Sequence, residues 1–330
     1  MKSTIHFYSQ FQVQTIVLHH CDTPIPDAEI PNNCRYLPGS LGIAERLIQA
    51  ANNIKTSYTV MISDDEYLIP SALIKIIKRM KDDDNLSSCF GQTVALNKYK
   101  KRMLGNLAYP SLRTYSNTND SILERVQYHL HQNNGTNPIG SVYRVMKYEI
   151  FKKLVMFWSE NLDTNSCKYT FEIAADIYLT VLGKSEYIDE VVWCRNWVNP
   201  SINDTSVNRD LYYYEWWENI AYMEEKNNYI NRIFKDMSKF MTMNELNKIL
   251  QDFYNSRKQI ELNEENQKSI KSWKFTKRKL KAKVHLIMNY WLAYNTNDIK
   301  EILRNVNNSK ISYDESQFEN ALLEFKKVNF

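Results

Sequence analysis

The chain has 330 residues, of which 43% are hydrophobic and 24% are charged, and its formal net charge is +4. This composition excludes a disordered chain, and the small net charge gives no general reason to expect nucleic acid as a partner. Five scattered cysteines without a CxxC pair predict reduced thiols in a cytoplasmic protein and argue against a zinc site.

Predicted strands and helices alternate through the first two hundred residues. Short apolar and β-branched runs predict strands at residues 15–18, 59–62, 88–96, 141–145 and 187–193. Apolar residues that recur every three or four positions predict helices at 40–53, 71–80, 148–158 and 171–182. Residues 97–119 are polar and aromatic, and we predict a long loop there. The alternation is typical of an α/β protein with a parallel sheet that binds ligands at the carboxyl ends of its strands.

The composition changes after residue 200. Residues 206–330 are rich in Asn, Lys and Glu and have helical patterns, so we place a domain boundary near residue 205. No apolar run reaches the length of a membrane span, and the start of the chain has no signal-peptide pattern. The predicted organisation is a domain over 1–205 and a helical C-terminal region over 206–330.

Three consecutive acids, Asp64, Asp65 and Glu66, follow the predicted strand that ends at Ile62. Neighbouring carboxylates repel one another, and a bound cation at the strand end would relieve that repulsion. A solvated turn that leads into the helix after Pro70 is the alternative, with one acid as its N-cap. On these residues alone both interpretations stay open.

Three segments together resemble a known family. They are TSYTVMISDDEYLIP (56–70), GSVYRVMKYEIFKKL (140–154) and FEIAADIYLTVLGKSEYIDEVVWCR (171–195). In their order they are similar to the family-2-type, GT-A-fold bacterial glycosyltransferases of capsule and O-antigen gene clusters, over about the first two hundred residues. The resemblance implies a GT-A, Rossmann-like mixed sheet, here lacking the usual first strand, with an α-helical C-terminal region.

The resemblance also assigns a role to the acidic triplet. In the family this position is the DXD-type motif, which holds the diphosphate of a nucleotide sugar through a divalent metal. It implies that Asp64 and Asp65 bind the donor and that Asp65 and Glu66 bind Mg²⁺ or Mn²⁺, because hard carboxylate oxygens suit these ions.

A second assignment concerns a general base. Inverting members of the family use an acid at the start of a helix that ends in glycine to deprotonate the acceptor hydroxyl. Glu172, eleven positions before Gly183, fits that spacing better than Asp176 does. A base needs a carboxylate within hydrogen-bond reach of the hydroxyl and a pKa raised by partial burial. The alternative is that both residues are ordinary acids in the first turns of a helix, where the dipole favours them.

Two arginines are weaker candidates for the donor site. Arg46 lies on a helix that faces the site in this fold, and Arg195 follows the last predicted strand, where a cation would neutralise a leaving group. A surface role for Arg46 and a structural ion pair for Arg195 are the alternatives. The chain also departs from the family, because residues 1–11 are predicted to begin in the helix after the missing strand. His19-His20-Cys21-Asp22 stands where Asp-Gly-Ser is usual.

The expected function is transfer of a sugar from a nucleotide-diphosphate donor to a glycan or lipid-linked acceptor, inverting and metal-assisted, in surface polysaccharide synthesis. The alternative is a catalytically impaired GT-A-like scaffold or partner subunit of a glycan-assembly complex. Residues 268–294 combine crowded lysines with an apolar, aromatic run. This segment predicts docking to an anionic membrane surface, at the inner face of the cytoplasmic membrane. We expect no nucleic-acid partner.

Overall fold

The protein is described by a computed structural model. It describes residues 2–19, 30–38, 43–99, 102–109, 112–113, 115–131, 143–161, 166–167, 169–198, 211–262 and 298–329. The predicted domain boundary near residue 205, His20-Cys21-Asp22 and the 268–294 segment lie outside these residues. No helix in the described part of the chain is long and apolar enough to cross a membrane.

Helices and strands alternate up to residue 196, and helices follow. The strands are β1 Thr15–His19, β2 Cys34–Pro38, β3 Tyr58–Thr59, β4 Tyr67–Leu68, β5 Leu86–Tyr99, β6 Arg102–Ala108, β7 Ser116–Asn117, β8 Val145–Lys147 and β9 Lys184–Asn196. The helices are α1 Lys2–Ser9, α2 Ile43–Asn53, α3 Pro70–Asp82, α4 Ile122–His131, α5 Tyr148–Asn161, α6 Tyr169–Val181, α7 Tyr213–Glu218, α8 Met223–Met237, α9 243–262, α10 Asp298–Asn308 and α11 Glu315–Asn329.

The main sheet is mixed, as the resemblance implies, and not parallel, as the alternation of strands and helices alone predicts. Its strand order is β3-β8-β5-β9-β4, with β6 beside β5 and β7 beside β9, while β1 and β2 form a separate parallel pair. Within the main sheet β5 and β9 run parallel, and each of the other pairings is antiparallel. The helices predicted at 40–53, 71–80, 148–158 and 171–182 are confirmed as α2, α3, α5 and α6.

Three local predictions are wrong. The strand predicted at 141–145 is replaced by β8, which begins only at Val145, and the described residues 143 and 144 belong to no strand. The strand predicted at 59–62 ends at Thr59, because its neighbour β8 has only three residues and pairs with Tyr58 and Thr59 alone. The loop predicted at 97–119 contains β6, which forms a hairpin with β5 and pairs Tyr99 with Arg102. Helix α10 covers this hairpin and places Ile302 against Gly105. Because this helix is nearly two hundred residues away in the sequence, the residues around β6 show no local pattern that predicts the strand.

The buried side chains form two hydrophobic clusters, and helices from beyond residue 205 belong to both. In the first, Trp216, Tyr229 and Phe253 of α7, α8 and α9 pack with residues of α4, α5 and α6. In the second, α10 and α11 pack with α1, α3 and the main sheet. The described C-terminal helices therefore share their cores with the α/β part of the chain.

Helix α6 is central to the first cluster. Its sequence is apolar nearly all round, which is typical of an enclosed helix. Every residue from Thr170 to Val181 is buried except Glu172, which is exposed.

Candidate active site

The pairing of β4 with β9 brings the acidic triplet to the end of β9. A turn follows β3, in which the Glu66 amide donates to the Ser63 carbonyl at 3.3 Å. Strand β4 then pairs antiparallel with β9, so that Tyr67 lies opposite Cys194. Arg195 and Asn196 follow at the end of β9, and both contact the triplet.

Glu66 is the buried member of the triplet, with 5% of its surface exposed. Its Oε2 accepts a hydrogen bond from Trp193 Nε1 at 3.0 Å, and its Oε1 lies 3.7 Å from Arg195 Nε. Burial raises the pKa of Glu66 to about 7, although Arg195 lowers it, and the charge of Asp65 raises it further. The prediction that Glu66 binds a metal does not fit this geometry, because its oxygens face protein donors in the interior.

The other two acids lie closer to solvent. Asp65 is half-buried, and its Oδ2 accepts a hydrogen bond from Asn196 Nδ2 at 2.8 Å. Asp64 is exposed, and its backbone carbonyl accepts a hydrogen bond from the Thr4 hydroxyl of α1. Helix α1, predicted at the start of the chain, therefore supports the turn that carries the triplet.

Arg195 lies within an aromatic cluster. Its Nη1 donates to the Tyr109 hydroxyl, and its guanidinium carbon lies 5.1 Å from the centroid of the Trp193 ring. The Tyr143 ring stacks on Trp193 with the centroids 4.8 Å apart and the planes 18° apart. Tyr109 has φ 54°, a left-handed conformation that is an outlier for an aromatic residue and is often found near functional sites.

Sequence reasoning missed four members of this site: Tyr109, Tyr143, Trp193 and Asn196. The sequence could have identified Asn196 as a site residue, since it directly follows the candidate Arg195. No sequence pattern identifies Tyr109, because it lies within the segment predicted to be a loop.

Glu172 is the exposed residue of buried helix α6, close to the same cluster. Burial raises the pKa of its carboxyl, Asp176 raises it further, and Arg195 and Arg257 lower it. A carboxyl that is accessible to water on one side can still be desolvated by protein atoms on its other sides. Arg195 therefore interacts with both Glu66 and Glu172, two of the predicted site residues.

Asp176 lies elsewhere, although it is one helical turn from Glu172. It is fully buried, and its Oδ1 lies 2.8 Å from His129 Nε2 of α4. The other ring nitrogen of His129 shares a hydrogen bond of 2.6 Å with the Tyr115 hydroxyl. The alternative assignment of the base to Asp176 does not fit this position, because an acceptor hydroxyl has no access to a carboxyl enclosed by the core.

Arg46 lies on α2 and is half-buried. Its Nε atom is buried and has no hydrogen-bond partner in the part of the chain that the structure describes. Its role at the donor site stays a prediction.

The triplet fits a divalent cation only in part. Among the described residues, no group of three or more His, Cys, Asp and Glu could hold a metal ion. Mg²⁺ commonly binds through one or two carboxylates together with substrate phosphates, and two carboxylates, Asp64 and Asp65, lie near the surface. The residues present therefore suit a cation that arrives with a phosphate-bearing ligand.

No protein-family model matches the chain, and no curated protein matches it significantly in sequence.

Proposed function

We propose that the protein is a glycosyltransferase that moves a sugar from a nucleotide-diphosphate donor to a glycan or lipid-linked acceptor, with inversion. The observation that carries this proposal is the environment of Glu172. It is the one exposed residue within an otherwise buried stretch of α6, and it shares Arg195 with the acidic triplet. A carboxylate that reaches solvent from an otherwise buried helix is accessible to an acceptor hydroxyl, whereas the carboxylate of Asp176, one turn further along, is enclosed.

The donor side of the proposed site consists of Asp64, Asp65 and Arg195. Asp64 and Asp65 would hold Mg²⁺ or Mn²⁺ together with the donor phosphates, and the cation would neutralise charge that develops on the leaving diphosphate. Asn196 orients Asp65 through its hydrogen bond of 2.8 Å. Arg195 is held by Tyr109 and Trp193 and supplies a second positive charge for the leaving group.

The acceptor side depends on Glu172. The acceptor hydroxyl attacks the anomeric carbon of the donor sugar, Glu172 takes the hydroxyl proton, and the bond from that carbon to the diphosphate oxygen breaks. The electron pair of that bond leaves with the nucleoside diphosphate. The raised pKa of Glu172 suits this role, because desolvation makes its carboxylate a stronger proton acceptor than an ordinary glutamate.

The test is a screen of common nucleotide sugars with Mg²⁺ or Mn²⁺, in which release of nucleoside diphosphate and donor affinity are measured. We expect turnover with at least one donor. Glu172→Gln should lower the rate by about 10²–10⁴-fold with little change in donor affinity, since that is the usual cost of losing a general base. Asp65→Asn should abolish metal-dependent donor binding.

Glu149→Gln is the matched control, because Glu149 is also an exposed acid in the first turn of a helix, α5. It should behave as wild type. Equal turnover by Glu172→Gln and wild type would contradict the assignment of the base. Donor binding without turnover toward any acceptor would favour the scaffold function, and the absence of both would contradict a transferase.

A further inference from the structure

Arg257 of the C-terminal region approaches the helix that carries Glu172. Its guanidinium carbon lies 4.8 Å from the centroid of the Tyr169 ring. Tyr169 is the first residue of α6 and lies one helical turn before Glu172. A residue of α9, far along the chain, therefore brings a positive charge to the end of α6 at which Glu172 stands.

The position of Arg257 is fixed by an ion pair with Glu261 and by the contacts that its partners Glu261 and Tyr169 make in turn. Its Nη2 lies 2.9 Å from Glu261 Oε1, and the two side chains are 15% and 3% exposed. The second oxygen of Glu261 accepts a hydrogen bond from the backbone amide of Tyr214 in α7 at 3.1 Å. On the other side, the Tyr169 ring stacks on Phe253, also in α9, at 6.4 Å. The arginine is thus tied to α6, α7 and α9 at once.

We propose that α9 completes the active site and that Arg257 is a positioning residue for Glu172, whose negative charge it stabilises for proton abstraction from the acceptor. This inference rests on the proposed function and extends it, because it assigns part of the site to the helical C-terminal region. The arginine acts through Glu172 and through the packing of Tyr169.

The charged groups around Glu172 agree with this assignment. Arg195 of β9 and Arg257 of α9 both lower the pKa of Glu172, against burial and Asp176, which raise it. Glu261 also belongs to the cluster and pairs with Arg257. Burial raises the pKa of Tyr109, Tyr143 and Tyr169, and the charge of Glu172 raises each of these pKa values further. The two arginines are therefore the groups that favour the ionised, proton-accepting form.

The alternative is that Arg257 only fastens the three helices together. Replacing Arg257 with a neutral residue distinguishes the two roles, because each role predicts a change in a different property. A purely structural role alters stability and leaves the titration of Glu172 in the folded protein unchanged. A positioning role shifts that titration.

The experiment uses the full chain with Arg257→Met and Arg257→Lys. Methionine fills similar space over Tyr169 without a charge, and lysine keeps the charge. The titration of Glu172 is followed by carbon NMR of labelled glutamate carboxyls, assigned by comparison with Glu172→Gln. The control is Arg232→Met in α8, another partly buried arginine with an i,i+4 carboxylate partner, Asp236.

We expect the titration midpoint of Glu172 to move to higher pH in Arg257→Met and to stay near that of wild type in Arg257→Lys and Arg232→Met. The acidic limb of the pH profile of the transfer rate should also move to higher pH in Arg257→Met. If Glu172 titrates identically in wild type and Arg257→Met, the inference is overturned. If the midpoint moves and no nucleotide sugar is consumed, the electrostatic coupling between Arg257 and Glu172 stands and the proposed function fails. Should Arg257→Met not fold, an unchanged titration in Arg257→Ala or Arg257→Gln would overturn the inference equally.

Discussion

Glu66 combines a buried carboxyl with a counter-charge that is only partly engaged, since Arg195 Nε lies 3.7 Å away and Trp193 supplies one hydrogen bond. Its buried position explains why the three acids of the triplet differ in their chemical roles. Asp64 and Asp65 can meet a ligand at the surface, whereas Glu66 holds the turn and the arginine in place from within.

This environment predicts a pH-dependent stability. The folded-state pKa of Glu66, about 7, lies above its ordinary value of 4.5, so the folded protein binds the proton more tightly. Its favourable contribution is fully present below pH 4.5 and is lost as the pH rises through about 7. The difference corresponds to about 3 kcal/mol.

We therefore expect Glu66→Gln to be more stable than wild type at pH 8 by up to about 3 kcal/mol and to lose this advantage near pH 4.5. Glutamine keeps an acceptor for Trp193. Urea unfolding of both proteins in chelator, at several pH values, measures the difference. A constant difference across this range would contradict the burial of an ionisable Glu66.

Substitutions of the two acids of α6 are expected to differ in their effect on stability. Asp176 and His129 form a fully buried pair with a separation of 2.8 Å, whereas Glu172 is exposed. Removing one partner of a buried pair leaves the other without compensation, at a cost of about 3–5 kcal/mol. Asp176→Asn should therefore lower the free energy of unfolding by about 3 kcal/mol, and Glu172→Gln should leave it within about 0.5 kcal/mol.

Denaturant unfolding of the two variants checks this prediction, with His129→Gln and the double variant to complete a cycle. Equal stabilities for Asp176→Asn and wild type would show that the buried pair does not hold α6 to α4.

At the scale of elements, the parallel pair of β5 and β9 positions Arg195 and Asn196. The strands approach closely at Gly91, where an added Cβ would contact the Val192 side chain and would lie 2.6 Å from the Glu190 carbonyl. The register in which β5 pairs with β9 shifts between Phe90 and Thr93, the stretch that contains Gly91. The close approach thus leaves space only for glycine, and it precedes the end of β9 that carries the site.

Gly91→Ala should part the two strands, because a backbone carbonyl cannot move without its strand. We expect a loss of about 1–3 kcal/mol of stability together with reduced donor binding. Gly105→Ala is the control: its added Cβ would meet the Ile302 side chain of α10, at 2.8 Å, and not the β5–β9 pair.

Chemical unfolding and donor calorimetry separate the two effects. Gly105→Ala should lose less stability and keep donor binding. If Gly91→Ala binds the donor as wild type does, the pairing of β5 with β9 is not what positions Arg195.

At the scale of the whole molecule, the described C-terminal helices contribute buried side chains to both hydrophobic clusters. Phe318, Leu322 and Phe325 of α11 are fully buried in the cluster that also contains the sheet and α1. Removing this helix would uncover apolar surface of the α/β part. We therefore expect one cooperative unfolding transition for both regions.

Two neighbouring leucines of α11 provide the test. Leu322 is fully buried and Leu323 is 43% exposed. Leu322→Ala should cost about 2–5 kcal/mol, because it leaves a cavity, and Leu323→Ala less than about 0.5 kcal/mol. Unfolding followed by both tryptophan fluorescence and circular dichroism should show a single shifted transition for Leu322→Ala. Two transitions, of which only one shifts, would indicate that the predicted regions fold separately.

Local sequence patterns were sufficient for much of the fold. The periodic apolar residues of α3 and α5 predict helices, because each of these helices buries a face that its own spacing defines. The acids after β3 and Glu172 near the start of α6 could likewise be identified as candidates, since charged residues beside apolar runs are visible within a few positions.

The tertiary structure decided what those candidates contact. Glu66 receives its hydrogen bond from Trp193, 127 residues away, and Asp65 from Asn196, 131 residues away. The burial of Asp176 depends on α4, the strand β6 lies under α10, and Arg257 reaches Tyr169 from α9. The spacing of residues within a helix or strand determines the direction in which a side chain points. The residues that it contacts there come from segments far away in the sequence, and only the tertiary structure brings these segments together. The identity of the candidate residues is therefore readable from the sequence, while their burial, charge state and partners are not.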